Sequence, residues 1–259
     1  MTLNTEISYQ TYGRGIKLLF AFHGYGMDAG QFRVLEKSLC QSHKILAFEL
    51  PYHRKGSHDH EGWIDSVIKT IEAIMSQAGV EKIALAGYSI GSKIALRVFR
   101  AFQSQVDEIT LFAPYGIEDH WGLRFVTGSF GNSLFRAIAK TKFPEIIIKQ
   151  AALAGIIDAD LHEIIGREMD TKSKRINLCN TLKMMGEIKL EENLIQQLKI
   201  QNVRIRLIYG EHDVLLPYTR KSQETLKKVS ECQVIVAPAG HWMITSEMDD
   251  VLCTETALA

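Results

Sequence analysis

The segment Gly87-Tyr88-Ser89-Ile90-Gly91 sets a serine between two glycines in the spacing G-x-S-x-G. Ile83 to Tyr88 reads as a short apolar strand that ends at this point, and a helix from about Ile90 to Phe102 begins just after it. A strand that reverses sharply into a helix forces the residue at the bend into a strained backbone conformation. Side chains two positions to either side would collide, so both flanks must be glycine or similarly small. The bend holds the Ser89 hydroxyl clear of the sheet, and the free N–H groups of the following first turn point toward any developing oxyanion. Taken alone, the five residues also fit a tight turn carrying a spectator serine. The strand before them and the helix after them favour a nucleophile.

A serine hydroxyl is a weak nucleophile unless a base takes its proton, and a histidine base needs a carboxylate to orient it. Nine histidines compete for that role. His241, in Ala239-Gly240-His241-Trp242, lies just beyond a predicted strand from Gln233 to Ala237. Asp213, in Gly210-Glu211-His212-Asp213, lies just beyond a predicted strand from Val203 to Tyr209. Ser89, Asp213 and His241 thus follow three different strands in the order nucleophile, acid, base. Glu211 is an alternative acid, whereas His212, adjacent in sequence to the acid, reads as a loop residue. His53, His58, Asp59 and His60 have metal-ligand chemistry, but they read as a solvated polar loop without a second ligand cluster. Gly13-Arg14-Gly15 reads as a hairpin turn, since it lacks the Lys-Ser/Thr of a phosphate-binding loop.

The elements that must position these residues alternate. Ile16 to Phe22 and Lys44 to Leu50 read as buried strands, Glu108 to Ala113 as another, and Asp28 as the cap of a helix carrying Phe32, Leu35 and Leu39. Trp63, Ile64, Val67, Ile68, Ile71, Ile74 and Met75 mark an amphipathic helix, and a further helix spans about Thr219 to Val229. Near-continuous apolar strands separated by helices mean an α/β fold, with a mostly parallel sheet covered by helices on both faces. From about Tyr115 to Gln201 the strand signal disappears, and helical stretches run through Leu134 to Ile138, Ile146 to Leu153, Leu161 to Met169 and Leu178 to Met185. Such an insertion reads as a cap over the strand ends, where open α/β sheets bind ligands, or as a helical subdomain packed elsewhere for stability. Phe125, Phe130, Phe135, Phe143, Met184 and Met185 are candidates to line an apolar acyl pocket or to form ordinary cap core.

With these residues in place, the chain resembles the α/β-hydrolase superfamily, and specifically its cap-bearing single-domain esterases. His23-Gly24 looks like the oxyanion turn, Gly87 to Gly91 the nucleophile elbow, Gly210 to Pro217 the acid loop and Gly240-His241 the base loop. The resemblance implies a core of residues 1–114 and 201–259 and a helical cap of 115–200. It implies a hydrolase cleaving a carboxylic ester or related small-molecule acyl substrate, in which Ser89 attacks, His241 is the base and Asp213 orients it. The backbone N–H groups of Tyr25 and Ile90 would form the oxyanion hole, with no metal and no organic cofactor. Relatives often carry P-G-H-G-x-S where this chain reads Pro51-Tyr52-His53-Arg54-Lys55-Gly56-Ser57, so substrate choice is not carried across that loop. Serine rather than aspartate at 89 argues against the epoxide hydrolases and haloalkane dehalogenases of the superfamily. The same three residues also serve a menaquinone-pathway type lyase and slow-turnover ligand receptors of this fold, and both stand as alternatives.

Composition narrows the field. The 259 residues are 46% hydrophobic and 23% charged, and 30 basic side chains balance 30 acidic ones. No global field would draw in nucleic acid or an acidic membrane. Cys40, Cys179, Cys232 and Cys253 form no short metal spacing, which fits neither a disulfide framework nor a zinc site and points to a reducing, cytoplasmic setting. Ile16 to Phe22 is too short to cross a bilayer and follows a polar segment, so neither a signal peptide nor a membrane span is expected. Nothing in the sequence specifies an oligomeric state.

Overall fold

The computed structural model describes residues 7–53, 59–117, 121–141, 146, 149–150, 153, 166, 169–190, 194–200, 203–226 and 232–257. Seven strands form one sheet: β1 (Tyr9–Tyr12), β2 (Lys17–Phe22), β3 (His43–Phe48), β4 (Ile83–Tyr88), β5 (Val106–Phe112), β6 (Arg204–Gly210) and β7 (Cys232–Ala237). Their spatial order is β1-β3-β2-β4-β5-β6-β7. Every pairing is parallel except that of β1 with β3. Strand β4 is buried along its whole length, and β2 is buried after Lys17. A strand without an exposed face must be covered on both sides, which explains its continuous apolar run.

Helix α1 (Trp63–Ala78) buries Trp63, Val67, Ile71 and Met75, one residue per turn along a single stripe. It stops at Gly79, whose left-handed backbone (φ 64°) lets Val80 N–H donate to the Met75 carbonyl (3.1 Å). Helix α2 (Ile90–Ala101) packs on β2, β4 and β5 and touches α1. After β5 come α3 (Trp121–Thr127), α4 (Ser129–Ala139), α5 (Lys172–Glu187) and α6 (Leu194–Ile200), then α7 (Arg220–Leu226) between β6 and β7, and finally α8 (Ser246–Ala257). No described helix is long and apolar enough to cross a membrane.

Two local expectations change. Gly13-Arg14-Gly15 does not close a hairpin, because β1 pairs with β3 and not with β2. The turn carries the chain past the start of β3, where Arg14 N–H donates to the Cys40 carbonyl (2.6 Å) and Gly15 N–H to that of His43 (3.3 Å). The helix expected after Asp28 is a 3₁₀ turn, Gln31–Val34, followed by a π-helical turn, Glu36–Cys40. Asp28 Oδ1 accepts from Gly30 N–H (2.9 Å), closing its own turn instead of capping a helix. Phe32, Leu35 and Leu39 are nevertheless fully buried, as their spacing requires. The Leu134 to Ile138 and Leu178 to Met185 stretches lie within α4 and α5. Ile146 to Leu153, Leu161 to Met169 and the end of the Thr219 to Val229 helix fall largely outside the described residues.

The π-helical turn is held by α8. Buried Asp249 accepts from Lys37 N–H (2.8 Å) with Oδ2, and from Ser38 N–H (2.9 Å) and Ser38 Oγ (2.6 Å) with Oδ1. Replacing Asp249 with alanine strands two backbone donors beneath the C-terminal helix. It should cost about 2–4 kcal/mol of unfolding free energy, read as a lower urea midpoint with unchanged m.

Candidate active site

The chain runs from β2 outward to β3 and then returns to the other side of β2 for β4, so the direction of winding reverses between β2 and β4. Open parallel sheets leave a crevice beyond the carboxyl ends of the strands at such a reversal. Phe22 of β2 is in register with Gly87 of β4, so the loops carrying Tyr25 and Ser89 leave the sheet side by side. The loops after β6 and β7 leave the same edge.

Ser89 sits at the bend with φ 52° and ψ −117°, a conformation that non-glycine residues adopt only under strain. Its N–H donates to the Phe112 carbonyl (2.8 Å). Although it occupies the N-cap of α2, its side chain makes no capping bond. The hydroxyl is turned instead toward His241, with Oγ 3.1 Å from Nε2. The flanking glycines are needed for a reason partly different from mutual collision. A Cβ at Gly87 would lie 2.6 Å from the Gly91 carbonyl, but one at Gly91 would meet the carbonyl oxygen of Phe22 at 2.0 Å. The elbow thus presses on the end of β2 as well as on itself.

His241 Nδ1 lies 2.8 Å from Asp213 Oδ2. With the proton on Nδ1 donated to the carboxylate, the Nε2 lone pair faces the serine hydroxyl. The other oxygen of Asp213 accepts from the N–H groups of Leu215 and Leu216, each at 2.9 Å. Burial alone would raise this carboxyl's pKa. The hydrogen bond and charge of His241 and the two backbone donors outweigh burial and hold it below the usual aspartate value. Glu211 and His212, both exposed, are not part of this arrangement.

On the other side of Ser89, Ile90 opens α2, so its N–H belongs to a first turn without intrahelical acceptors. Tyr25 follows His23-Gly24 in the neighbouring loop. His23 is fully buried. It accepts from Leu50 N–H at Nε2 (3.1 Å), which leaves Nδ1–H to donate to the Gly24 carbonyl (2.8 Å). Glu49, also buried, accepts from Ala29 N–H (3.2 Å) and the Gln10 amide (3.1 Å) and fastens the far end of the same loop.

Two residues matter more than their sequence context suggested. Tyr88, the variable position before the serine, donates its hydroxyl to the His241 carbonyl (2.6 Å) and lays its ring 5.6 Å from the imidazole. The same ring fills the space above Gly24, where a Cβ would sit 2.4 Å from it. His53 is not in solvent. It is buried edge-on against both His23 and Tyr25 at 5.1 Å, with Nδ1 bonded to the Pro51 carbonyl (2.8 Å). Buried histidines and tyrosines next to a turn sequence are the only signal that could have exposed either role. His60 lies between Tyr52 Oη (2.5 Å) and Glu187 Oε2 of α5 (2.6 Å), and His58 lies outside the described residues. No cluster among the described residues could hold a metal ion. Of the aromatic candidates, Phe125 and Phe130 face outward, Phe135 is half-buried and Phe143 lies outside the described residues. Met184 and Met185 are buried in the main core. A charged cavity of about 700 Å³ between the starts of α1 and the ends of α2 and α5 includes none of the residues around Ser89.

A sequence model of the family described as "alpha/beta hydrolase fold" matches residues 17–152, more than half of the chain. The chain belongs to the α/β-hydrolase fold family. Among curated relatives, it is 21% identical over 239 residues to the "Dihydrolipoyllysine-residue acetyltransferase component of acetoin cleaving system" of Pseudomonas putida, covering 90% of this chain and 60% of that one. It spans about half the length of the other curated relatives it matches. A thermophilic esterase from Thermogutta terrifontis superposes with a TM-score of 0.70 at 14% identity, over 97% of this chain and 92% of that one. A carboxylesterase structure from Nitrososphaera gargenis gives 0.60 at 19% identity, over 97% and 94%. These structural likenesses are likenesses of fold.

The environment of His53 in this α/β-hydrolase makes stability depend on pH. Burial lowers its pKa from 6.5 to about 4, the bond to Pro51 opposing only in part, and Nε2 has no hydrogen-bond partner among the described residues. The unfolded chain takes up a proton at this residue near pH 6.5, whereas the folded chain does so only near 4. Folded stability therefore falls as pH drops through that window, by about 3 kcal/mol in all. His53→Gln removes this contribution. Urea unfolding at a series of pH values from 7 to 4 should show a shallower acid decline for the variant, and parallel declines would contradict the assignment.

Proposed function

We propose that the protein is a serine hydrolase that cleaves carboxylic esters through an acyl-enzyme. The observation that carries this reading is the continuous relay from Ser89 Oγ to His241 Nε2 (3.1 Å) and from His241 Nδ1 to Asp213 Oδ2 (2.8 Å). Ser89 Oγ attacks the acyl carbonyl carbon while Nε2 takes its proton. The carbonyl oxygen becomes an oxyanion that accepts from the N–H groups of Tyr25 and Ile90. As the C–O bond to the leaving group breaks, the imidazolium returns the proton to the departing alkoxide. A water molecule, deprotonated by the same nitrogen, then attacks the acyl carbon and releases the acid and Ser89. Asp213 stays ionised throughout, holding the tautomer and balancing the imidazolium. No step calls for a metal or an organic cofactor.

In this reading residues 115–200 form a cap on a core of 1–114 and 201–259. One tie between this segment and the helix that follows Ser89 is buried Lys93, one helical turn beyond Ser89, whose Nζ donates to the Met185 carbonyl of α5 (2.8 Å). The four free cysteines support a reducing, cytoplasmic setting. The name of the Pseudomonas putida relative supports a second reading, in which an acceptor nucleophile other than water takes the acyl group.

The decisive experiment joins fluorophosphonate labelling to turnover of p-nitrophenyl esters. Ser89→Ala should abolish labelling and lower kcat by several orders of magnitude, because members of such a relay act as a unit. Asp213→Asn should keep the fold and lose about 10⁴ in kcat, the cost of the wrong tautomer in another enzyme of this design. Undiminished hydrolysis by Ser89→Ala would end the proposal, and a single turnover per molecule would turn it toward a receptor. Added dihydrolipoamide separates the two acyl fates, since a transferase forms the thioester and a hydrolase the free acid.

Tyr88→Phe removes only the hydroxyl that holds the His241 carbonyl. It should lower kcat by about fivefold, the worth of about 1 kcal/mol, with KM little changed. A loss as deep as that of Asp213→Asn would mean that Tyr88 has a chemical role of its own.

A further inference from the structure

Helix α4 exposes apolar side chains on its outer face. In a surface helix the apolar stripe normally faces the protein and the polar one faces water. Here Gly131, Asn132 and Ala139 are buried and Phe135 and Ile138 half-buried, and Asn132 Nδ2 is bonded to the Cys179 carbonyl of α5 (3.0 Å). The Ala139 carbonyl accepts from Arg175 Nε of α5 (2.7 Å), which fixes the rotation of the helix. The outward face carries Phe130, 77% exposed, and Leu134, 46% exposed, one turn apart, with Ser133 and Ala137 beside them. Phe125 of α3, 47% exposed, stands with its ring 6.4 Å from that of Phe130 and extends the patch across the α3–α4 turn.

The charged side chains that α3 and α4 themselves carry are all basic. Residues 121–141 contain Arg124, Arg136 and Lys140 and no Asp or Glu, in a chain whose basic and acidic side chains are equal in number. Arg124 and Lys140 are exposed at the two ends of the patch, and Arg136 is half-buried against Asn180. Exposed basic side chains thus flank a group of exposed aromatic and aliphatic ones on this segment.

We propose that the α3–α4 face docks on the surface of an anionic lipid bilayer. Phe125, Phe130 and Leu134 would enter the headgroup and acyl boundary, and Arg124 and Lys140 would pair with lipid phosphates, the combination by which amphipathic helices lie in a membrane interface. A second copy of the chain is a poorer occupant. A two-fold contact through this face sets cations against the same cations, with no carboxylate within 121–141 to relieve them. The docking is independent of the chemistry at Ser89.

The test is co-sedimentation of the full chain with sucrose-loaded vesicles, either phosphatidylcholine alone or phosphatidylcholine with about 30% phosphatidylglycerol, at about 0.05 M and 0.5 M NaCl. The protein should pellet with the anionic vesicles, and its partition coefficient should fall about tenfold or more with the neutral vesicles and at the higher salt. Phe130→Ser with Leu134→Ser, and separately Arg124→Glu with Lys140→Glu, should each abolish most of the binding while circular dichroism stays that of the parent. Lys69→Glu, on the exposed side of α1, should bind as the parent does. Failure to pellet with anionic vesicles overturns the proposal, as does equal binding by the patch variants. A parent that is dimeric by light scattering and becomes monomeric in Phe130→Ser, Leu134→Ser also overturns it, in favour of a second copy on this face.

Discussion

The site depends on a close approach between backbones. Position 91 can lie against the end of β2 only because it has no side chain, the Phe22 carbonyl oxygen occupying the place a Cβ would take. That approach brings the elbow after β4 within reach of the loop after β2, and the chain reuses the contact above the sheet. Tyr88 needs the empty volume at Gly24 for its ring, and once seated there its hydroxyl reaches the His241 carbonyl. Two close packing contacts and one hydrogen bond therefore set Ser89, the Gly24 turn and the His241 loop relative to one another. Interiors at organic-crystal density transmit such constraints without slack. The strain stored at Ser89 (φ 52°) persists because the surrounding contacts over-determine it.

Hydrogen bonding then settles the protonation pattern. His23 and His241 are locked into the same tautomer by different partners. In His23 a backbone N–H fills Nε2, and the ring serves only to hold a loop. In His241 the carboxylate of Asp213 takes the Nδ1 proton, and Nε2 is left for Ser89. The two histidines differ in whether a backbone donor has already claimed the Nε2 lone pair. Asp213 accepts three hydrogen bonds on two oxygens, so its charge is compensated locally despite its burial.

The parts of this arrangement visible in the sequence are those governed by period and by turn chemistry. Ile83–Tyr88 is bounded by a change from continuous apolar residues to Ser-Ile-Gly, and its limits agree with expectation to the residue. The three residues of the relay were legible because each follows such a strand. Strand β1 was not, since Tyr9-Gln10-Thr11-Tyr12 is half-exposed at the sheet edge and lacks an apolar run. Helix α8 has no apolar face strong enough to announce it; Met248 and Leu252 join it to the core, and Asp249 binds it to the turn at Lys37 and Ser38. The 3₁₀ and π turns share the burial pattern of an α-helix, so Phe32, Leu35 and Leu39 were assigned to the core but to the wrong backbone geometry. Phe125 and Phe130 show the same limit from the other side. An aromatic residue in a helical stretch reads as interior, and the rotation fixed by Asn132 and Arg175 leaves Phe130 and Leu134 in solvent while Phe135 and Ile138 are half-buried.

The sheet also explains how a long excursion between β5 and β6 coexists with Ser89, Asp213 and His241 coming from both sides of it. The chain leaves at the end of β5 and returns at β6, and these two strands are neighbours, paired from Glu108 with Arg204 to Phe112 with Ile208. At the point of departure, Ala113 N–H donates to the Ile208 carbonyl (2.8 Å), which fastens the carboxyl end of β5 to β6, and the chain returns at the opposite edge of the sheet, where Arg204 pairs with Glu108. The entropy of closing a loop grows only slowly with its length, so what happens between residues 114 and 203 has little leverage on that register. Ser89 follows β4 and Asp213 follows β6, and both strands pair with β5. The geometry that joins Ser89 to Asp213 is thus carried by β4, β5 and β6 and the loops that follow them.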